Sequence, residues 1–370
     1  MNRVLVPAKS LWATDSTFNE PLATDLHRVG VVAWQTFDGI AEAIGDELAT
    51  LGYQPVLVSS ASPLPRNLDV VLSHGPHGHF LAIASQMAHQ SPRDRPIFAH
   101  WNTEGMPDLR IAWPLMHSLA TMRSRLSMLN APGSRWERKL EKLQILSWLN
   151  ARMHRFRYLG DYDYAYRKGW IDVFADSSAI YAQLRSRHGM PTVVAHWGAT
   201  KRWCADLYLD RDIDVLWMGC WGTKRRQQIL KQVVGGLRTQ GVRVHVADNV
   251  ENPFVFDEER TRLLNRAKIT LNLTRTWHDD NYSRFALAAP NRSLVVSEPL
   301  LPHCPPCKAG VHYVDAPIPR LLDTILYYLE HEEERQQIVQ CAYELFATTL
   351  SFRNSIQEIM RAVTQVGRIG

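Results

Sequence analysis

Two hydrophobic rhythms alternate along the chain. Short runs of β-branched and aliphatic residues predict strands, and segments with an apolar residue every third or fourth position predict amphipathic helices. In the first half, strands are predicted at 3–7, 55–59, 68–72, 96–100, 171–174 and 191–195. A helix is predicted over 37–51, with Ile40, Ala41, Ile44, Leu48 and Leu51 on one face and Gly52 placed to end it in the left-handed conformation. A second is predicted over 80–89, and Ser177 or Ser178 supplies a helix cap after the strand at 171–174.

The same alternation restarts after a charged, loop-like stretch at 201–212. Strands are predicted at 214–219, 242–247, 269–273, 293–297 and 311–315, interleaved with helices at 224–237, 258–266 and 283–289. Three helices, 319–330, 332–349 and 352–366, close the chain. Strands alternating with helices predict parallel sheets covered by helices, so the expected class is α/β with two Rossmann-like domains. Their expected limits are 1–205 and 206–350, with 351–370 as a C-terminal helix that returns to the N-terminal domain.

A length of 370 residues exceeds one ordinary core and suits two domains. With 45% hydrophobic and 21% charged residues, the chain reads as a packed protein and not as a disordered one. No stretch approaches the ~20 apolar residues of a membrane span. The N-terminus lacks a secretory apolar region, and five cysteines leave one necessarily unpaired, so a reducing, cytoplasmic location is expected. Basic residues are mixed with acids except at Arg135, Arg138, Lys139, Lys142, Arg152, Arg155 and Arg157. That segment reads first as the solvated face of a long packed helix, with a peripheral contact with an anionic membrane as the lesser alternative; no nucleic-acid partner is expected.

Ligands of open parallel sheets bind outside the carboxyl ends of the strands, so the loops that follow strands carry the candidates. Gly219-Cys220-Trp221-Gly222-Thr223-Lys224-Arg225-Arg226 follows a strand and opens a helix. Glycines permit close approach of backbone to a phosphate, the helix N-terminus offers amides, and the basic residues add charge. Glycine-containing turns of this kind also occur for packing alone.

The residues Asp214–Arg225, Glu258–Leu273, Ser283-Arg284-Phe285, Leu294–Glu298, Gly310–Val314 and Leu321–Arg335, in that order, resemble the C-terminal donor domain of GT-B glycosyltransferases of the group 1 and CgeB-like kind. The resemblance spans about 213–350. It implies two Rossmann-like domains facing across a cleft, a nucleotide-sugar as donor substrate, and no other cofactor. By position it sets Gly222, Lys224 and Arg225 against the diphosphate, and Asn281, Tyr282, Ser283 and Arg284 over sugar and phosphates. Relatives carry a glutamate just after the Arg-x-Phe segment, to accept ribose hydroxyls. Here the helix reads Phe285-Ala286-Leu287-Ala288-Ala289, which leaves Glu298 or a backbone group as substitute, or an altered donor site.

Such a transferase needs no metal, because basic side chains and helix N-termini can stabilise the leaving diphosphate. An inverting course also needs a base for the hydroxyl of the acceptor, whether small molecule, glycan or lipid. In the first half the post-strand stretches are His74-Gly75-Pro76-His77-Gly78-His79 and His100-Trp101-Asn102-Thr103-Glu104, with Glu104 and His100 as leading base candidates. Three histidines in six residues invite a zinc reading, but no neighbouring cysteine or carboxylate completes a ligand set. Cys304 and Cys307 beside His303 lack a partner pair in the same way. Asp161-Tyr162-Asp163 reads as an exposed turn, and Trp101, Trp197, Trp221 and Trp277 as loop aromatics suited to sugar rings. A sugar epimerase of the same fold, or a degenerate protein that binds a nucleotide-sugar or partner without turnover, remain the alternatives.

Overall fold

The structure is a computed structural model and describes residues 26–33, 39–59, 62–75, 79–91, 94–105, 107–108, 110–129, 156, 158–276, 283–301 and 307–367. The strand expected at 3–7 and the basic residues of 135–157 lie outside them. The described chain divides into two units, one holding residues from 26 to 195 with 356–367, the other 196–276 with 283–355.

The first unit is built on a parallel sheet of β1 (Arg28–Ala33), β2 (Gln54–Ser59), β3 (Val70–His74), β4 (Ile97–Asn102), β5 (Val173–Asp176) and β6 (Val193–Val194), in the order β2-β1-β3-β4-β5-β6. Strand β1 was not expected from the sequence pattern. Its Val29-Gly30-Val31-Val32 run is buried between two neighbours, and a strand covered on both faces shows no alternation to mark it. Helices α1 (Ile40–Thr50), α2 (His79–Ala88), α3 (Trp113–Leu129), α4 (residues 158–167) and α5 (Ala179–Arg187) accompany this sheet. Helices α3 and α4 were also not expected, and α4 contains the Asp161-Tyr162-Asp163 segment read as an exposed turn. Asp161 is buried and accepts from Ser124 Oγ at 2.6 Å, while Tyr162 is core.

The second unit carries β7 (Ile213–Met218), β8 (Val244–Ala247), β9 (Ala267–Asn272), β10 (Leu294–Ser297) and β11 (Val314–Asp315), all parallel, in the order β11-β10-β9-β7-β8. The strand expected at 311–315 shrinks to two residues. Helices α6 (Lys224–Thr239), α7 (Asp257–Arg266), α8 (Ser283–Ala288), α9 (Leu321–Glu330), α10 (Glu332–Thr348) and α11 (Phe352–Gly367) complete the chain. Helix α6 turns Ile229, Leu230, Val233, Val234 and Leu237 onto the sheet, where they pack with Val215 and Trp217. That spacing of one, three and four residues is the core-facing stripe of an amphipathic helix.

Two separate stretches of the second unit run side by side near its limits. Ala199 bridges Ser351 in parallel, with Ala199 N donating to Leu350 O at 2.8 Å and Phe352 N to Ala199 O at 2.7 Å. Trp197, Trp203 and Phe352 pack ring against ring beside them. Gly198 permits this approach, since a Cβ there would stand 2.5 Å from the Ser351 carbonyl carbon. Among the described residues, no helix is long and apolar enough to cross a membrane.

Candidate functional site

In the second sheet the chain runs from β7 outward to β8 and then returns to the other side of β7 as β9. The topological switch therefore lies between β7 and β9, and the crevice outside their carboxyl ends is where such sheets bind ligands. The loop Gly219–Thr223 leaves β7 at that point. Gly219 and Gly222 have φ of 124° and 68°, conformations that L side chains resist. Trp217 Nε1 donates to Gly219 O at 2.9 Å. Thr223 caps α6, accepting from Arg226 N, and its hydroxyl donates to Arg275 O at 2.6 Å in the loop after β9.

The three consecutive basic residues have three different fates. Lys224 is exposed at the start of the helix. Arg226 is buried and turns back into the loop, donating through Nε to Trp221 O at 3.0 Å and through Nη2 to Cys220 O. A Cβ on Gly222 would stand 2.5 Å from that Nη2, so the expected phosphate glycine also makes room for Arg226. Arg225 pairs with Glu298, the residue that follows β10, through both terminal nitrogens.

Glu298 is almost wholly buried, and both its oxygens are engaged. Oε1 accepts from Thr274 N at 2.7 Å, Thr274 Oγ1 at 2.9 Å and Arg225 Nη1 at 3.1 Å, and Oε2 accepts from Arg225 Nη2. A buried carboxylate is tolerable when it is hydrogen-bonded and paired in this way.

Arg284, at the start of α8, lies across the switch point. Its Nε donates to Met218 O at the end of β7 (2.8 Å) and its Nη1 to Asn272 Oδ1 at the end of β9 (3.2 Å). The guanidinium covers the Trp217 ring at 4.3 Å, and its Nη2 lies over Gly219. Ser283 is partly buried beside it; Asn281, Tyr282 and Trp277 fall outside the described residues. Trp221 donates its indole N–H to buried Asp248 and carries Lys231 over its ring at 5.1 Å. Lys224, Arg225, Ser283, Arg284 and Glu298 thus gather around one end of one sheet. Cys304 is likewise not described, and burial pushes the Cys307 thiol up to about 12.

The N-terminal candidates separate from one another. His100, the last residue of the strand predicted at 96–100 and weighed with the stretch that follows it, is inside β4 and fully buried, and the strand runs two residues further, through Asn102. Its Nδ1 is 2.7 Å from Ser73 Oγ, and its ring packs on Phe80, Tyr162 and Phe174. Trp101 is also in the strand and buried, donating to Ala195 O at 2.8 Å. Glu104 is partly exposed beyond the strand end, and its carbonyl accepts from Asn102 Nδ2 at 3.1 Å. The same Nδ2 donates to Asp176 Oδ2 at 2.9 Å, with Arg185 Nε 3.4 Å from that oxygen. Burial lowers the Arg185 guanidinium pKa against the opposing pull of Asp176, and burial raises the Tyr162 phenol well above its usual range.

Residues 224–361 match the family model described as glycosyl transferase-like. Among solved structures the chain is similar to Anabaena HepE in complex with UDP-glucose, at 10% identity and TM-score 0.55, over 91% of this chain and 99% of that one. Similar likenesses hold to sucrose-phosphate synthase from Thermosynechococcus elongatus (10% identity, TM-score 0.56, 93% and 100% covered) and to a glycosyltransferase from Rickettsia africae (10%, 0.54, 94% and 100%). Comparison with curated protein sequences returns no match. The fold is that of the GT-B glycosyltransferases, with a Rossmann-like parallel sheet in each unit.

Within the second unit, several neighbours of the crevice carried no sequence signal. Trp217 and Asn272 sit inside apolar strand runs and read as core. Thr274 lies 24 residues before Glu298, a separation at which pattern says nothing. The inward turn of Arg226 had a partial cue, since it lies four positions after Gly222 on the first turns of the helix.

Proposed function

We propose that the protein transfers a sugar from a nucleoside-diphosphate sugar to an acceptor hydroxyl without a metal ion, acting in the cytoplasm, and that it stands nearest the CgeB-like group. The observation that carries this reading is the Arg284 guanidinium fixed over Gly219 at the switch point, beside the N-terminus of α6 and Lys224. Helix amides, a glycine approach and two cations form a chemistry suited to a diphosphate leaving group. The glycosyl transferase-like match over 224–361, and HepE, whose structures carry UDP-glucose, UDP and glucose, support the same assignment.

In the proposed step an acceptor oxygen bonds to the anomeric carbon while the bond from that carbon to the diphosphate oxygen breaks. The diphosphate leaves with the electron pair, and in an inverting course the hydroxyl proton passes to Glu104. The acceptor is a small molecule, a glycan or a lipid. The test is a thermal-shift screen with UDP, GDP, dTDP and their sugars: a ligand at ~100 times its dissociation constant adds ~2.7 kcal/mol of stability. Absence of any shift sinks the donor reading. A second reading, a nucleotide-sugar binder without turnover, is favoured by one feature: Ala286 to Ala289 carry no carboxylate and Glu298 is already engaged. Binding without product from any acceptor would select it.

A further inference from the structure

Helix α3 carries two apolar faces, and the first unit covers one of them. On the inner face Met116 and Ala120 pack with Leu159 of α4 and Tyr181 of α5, Gly160 lets α4 lie against Ala120, and Ser124 reaches buried Asp161. Leu115, Leu119 and Met122 stand outside that cluster. Steps of four and three residues set them in one row along the helix, and the sequence continues the row with leucine at 126 and 129. Leu115 is 56% exposed and Met122 47%. Among the described residues of the first unit only Leu57 is another large apolar side chain so exposed, so apolar exposure concentrates on this row.

Charge selects what can cover the row. Residues 123–157 hold nine lysines and arginines against two glutamates, whereas the rest of the chain holds 33 basic residues against 35 acidic ones. The whole positive excess of the protein therefore sits in α3 and the sequence that follows it. A second copy would bring the same charge to the interface, which like-charge repulsion opposes. Nucleic acid answers the charge but offers phosphates, not an apolar layer, to a row of leucine and methionine. A bilayer with anionic headgroups answers both demands. We infer that the outer face of α3 docks on an anionic lipid bilayer, with Leu115, Leu119 and Met122 entering the headgroup boundary and the positive charge of 123–157 drawing the protein to the surface. This contact is independent of the donor reading above.

The test is co-sedimentation of the full chain with vesicles of phosphatidylcholine alone, and of phosphatidylcholine and phosphatidylserine in equal parts. The mixed vesicles should bind the protein at least about a hundredfold more tightly, and added salt should weaken that binding. Leu115→Gln combined with Met122→Gln removes apolar surface without changing charge. It should weaken binding to the mixed vesicles about tenfold and leave the melting temperature of the free protein in place, because both side chains already face solvent. No binding of the unaltered protein to mixed vesicles, or equal binding to both vesicle types, overturns the inference. Unweakened binding by the double variant would show attraction by charge alone and remove the row from the contact. A melting temperature several degrees lower in the double variant would show the row covered by the chain itself, and a dimer that the double variant dissolves would put a second copy there; either result refutes the bilayer contact.

Discussion

Arg225 and Glu298, 73 positions apart, form a two-pronged ion pair that ties the first turn of α6 to the end of β10. Thr274 joins them by giving both its amide and its hydroxyl to the same carboxylate. The loops after β7, β9 and β10 are thereby fastened at one point, directly beside the crevice. Glu298 thus spends its acceptor capacity inside the protein.

Removing either partner should unfold the second unit more easily. Glu298→Ala leaves the Thr274 amide without its acceptor, at a cost of about 1–3 kcal/mol. Arg225→Ala leaves a buried carboxylate uncompensated and should cost at least as much, although the guanidinium itself is part-exposed and its share is reduced by solvent. Urea titrations of both variants measure this. A loss below about 0.5 kcal/mol for Arg225→Ala would show the pair to be slack and Arg225 free to serve the substrate.

Arg284→Ala should weaken binding of the donor nucleotide by roughly 1.5–3 kcal/mol, the usual range for a hydrogen bond to a charged group. Gly219→Ala should produce much of the same loss without touching the arginine. Its new Cβ would fall 2.6 Å from Arg284 Nη2, and φ of 124° strains any L residue there. Titration calorimetry on both variants tests the link; full affinity in Gly219→Ala would show that Arg284 is not read through its position over the loop.

Much of this architecture was legible in the pattern of residues, and the exceptions have physical causes. Helix α6 declared itself because one face is aliphatic and a capping threonine precedes it. Strand β1 did not, because both its faces are covered, and the end of β4 did not, because Trp101 and Asn102 are bulky or polar residues that still occupy strand positions. In the crevice, the glycines and basic residues were legible as a group, but the separate fates of Lys224, Arg225 and Arg226 depend on a partner 73 residues away or on a backward turn into the loop. Such pairings arise only in the folded chain.

Asp214 should make the second unit sensitive to acid. Burial pushes its carboxyl pKa up, but hydrogen bonds from Arg243 and Lys268 outweigh that and hold it well below the usual range. A carboxylate depressed in the folded state stabilises in full above its unfolded pKa of about 3.9, and that contribution drains away as pH falls further. Denaturation midpoints of the unaltered protein and Asp214→Asn should therefore differ most between pH 5 and 7 and converge toward pH 2. A gap that stays constant over this range would assign the difference to packing and not to charge.

His100 and Glu104 should part company when each is replaced. His100 has no exposed surface, is 2.7 Å from Ser73 Oγ through Nδ1, and fills a ring cluster with Phe80, Tyr162 and Phe174. Truncating it to alanine opens a cavity and strands a buried hydroxyl, so the melting temperature should drop by an amount equivalent to about 2–4 kcal/mol. Activity per folded molecule should then stay near normal. Glu104 instead stands partly exposed past the strand end, its carbonyl fastened by Asn102, which Asp176 holds in turn. Glu104→Gln keeps that backbone bond and removes only the proton-accepting carboxylate, so stability and nucleotide affinity should hold while kcat falls ~100- to 10,000-fold. Paired measurements of melting temperature, nucleotide affinity and kcat separate the two outcomes. If Glu104→Gln turns over at the normal rate, the base lies elsewhere or the reaction retains configuration without one. If His100→Ala is inactive yet as stable as the parent, the buried imidazole has a part in the chemistry after all.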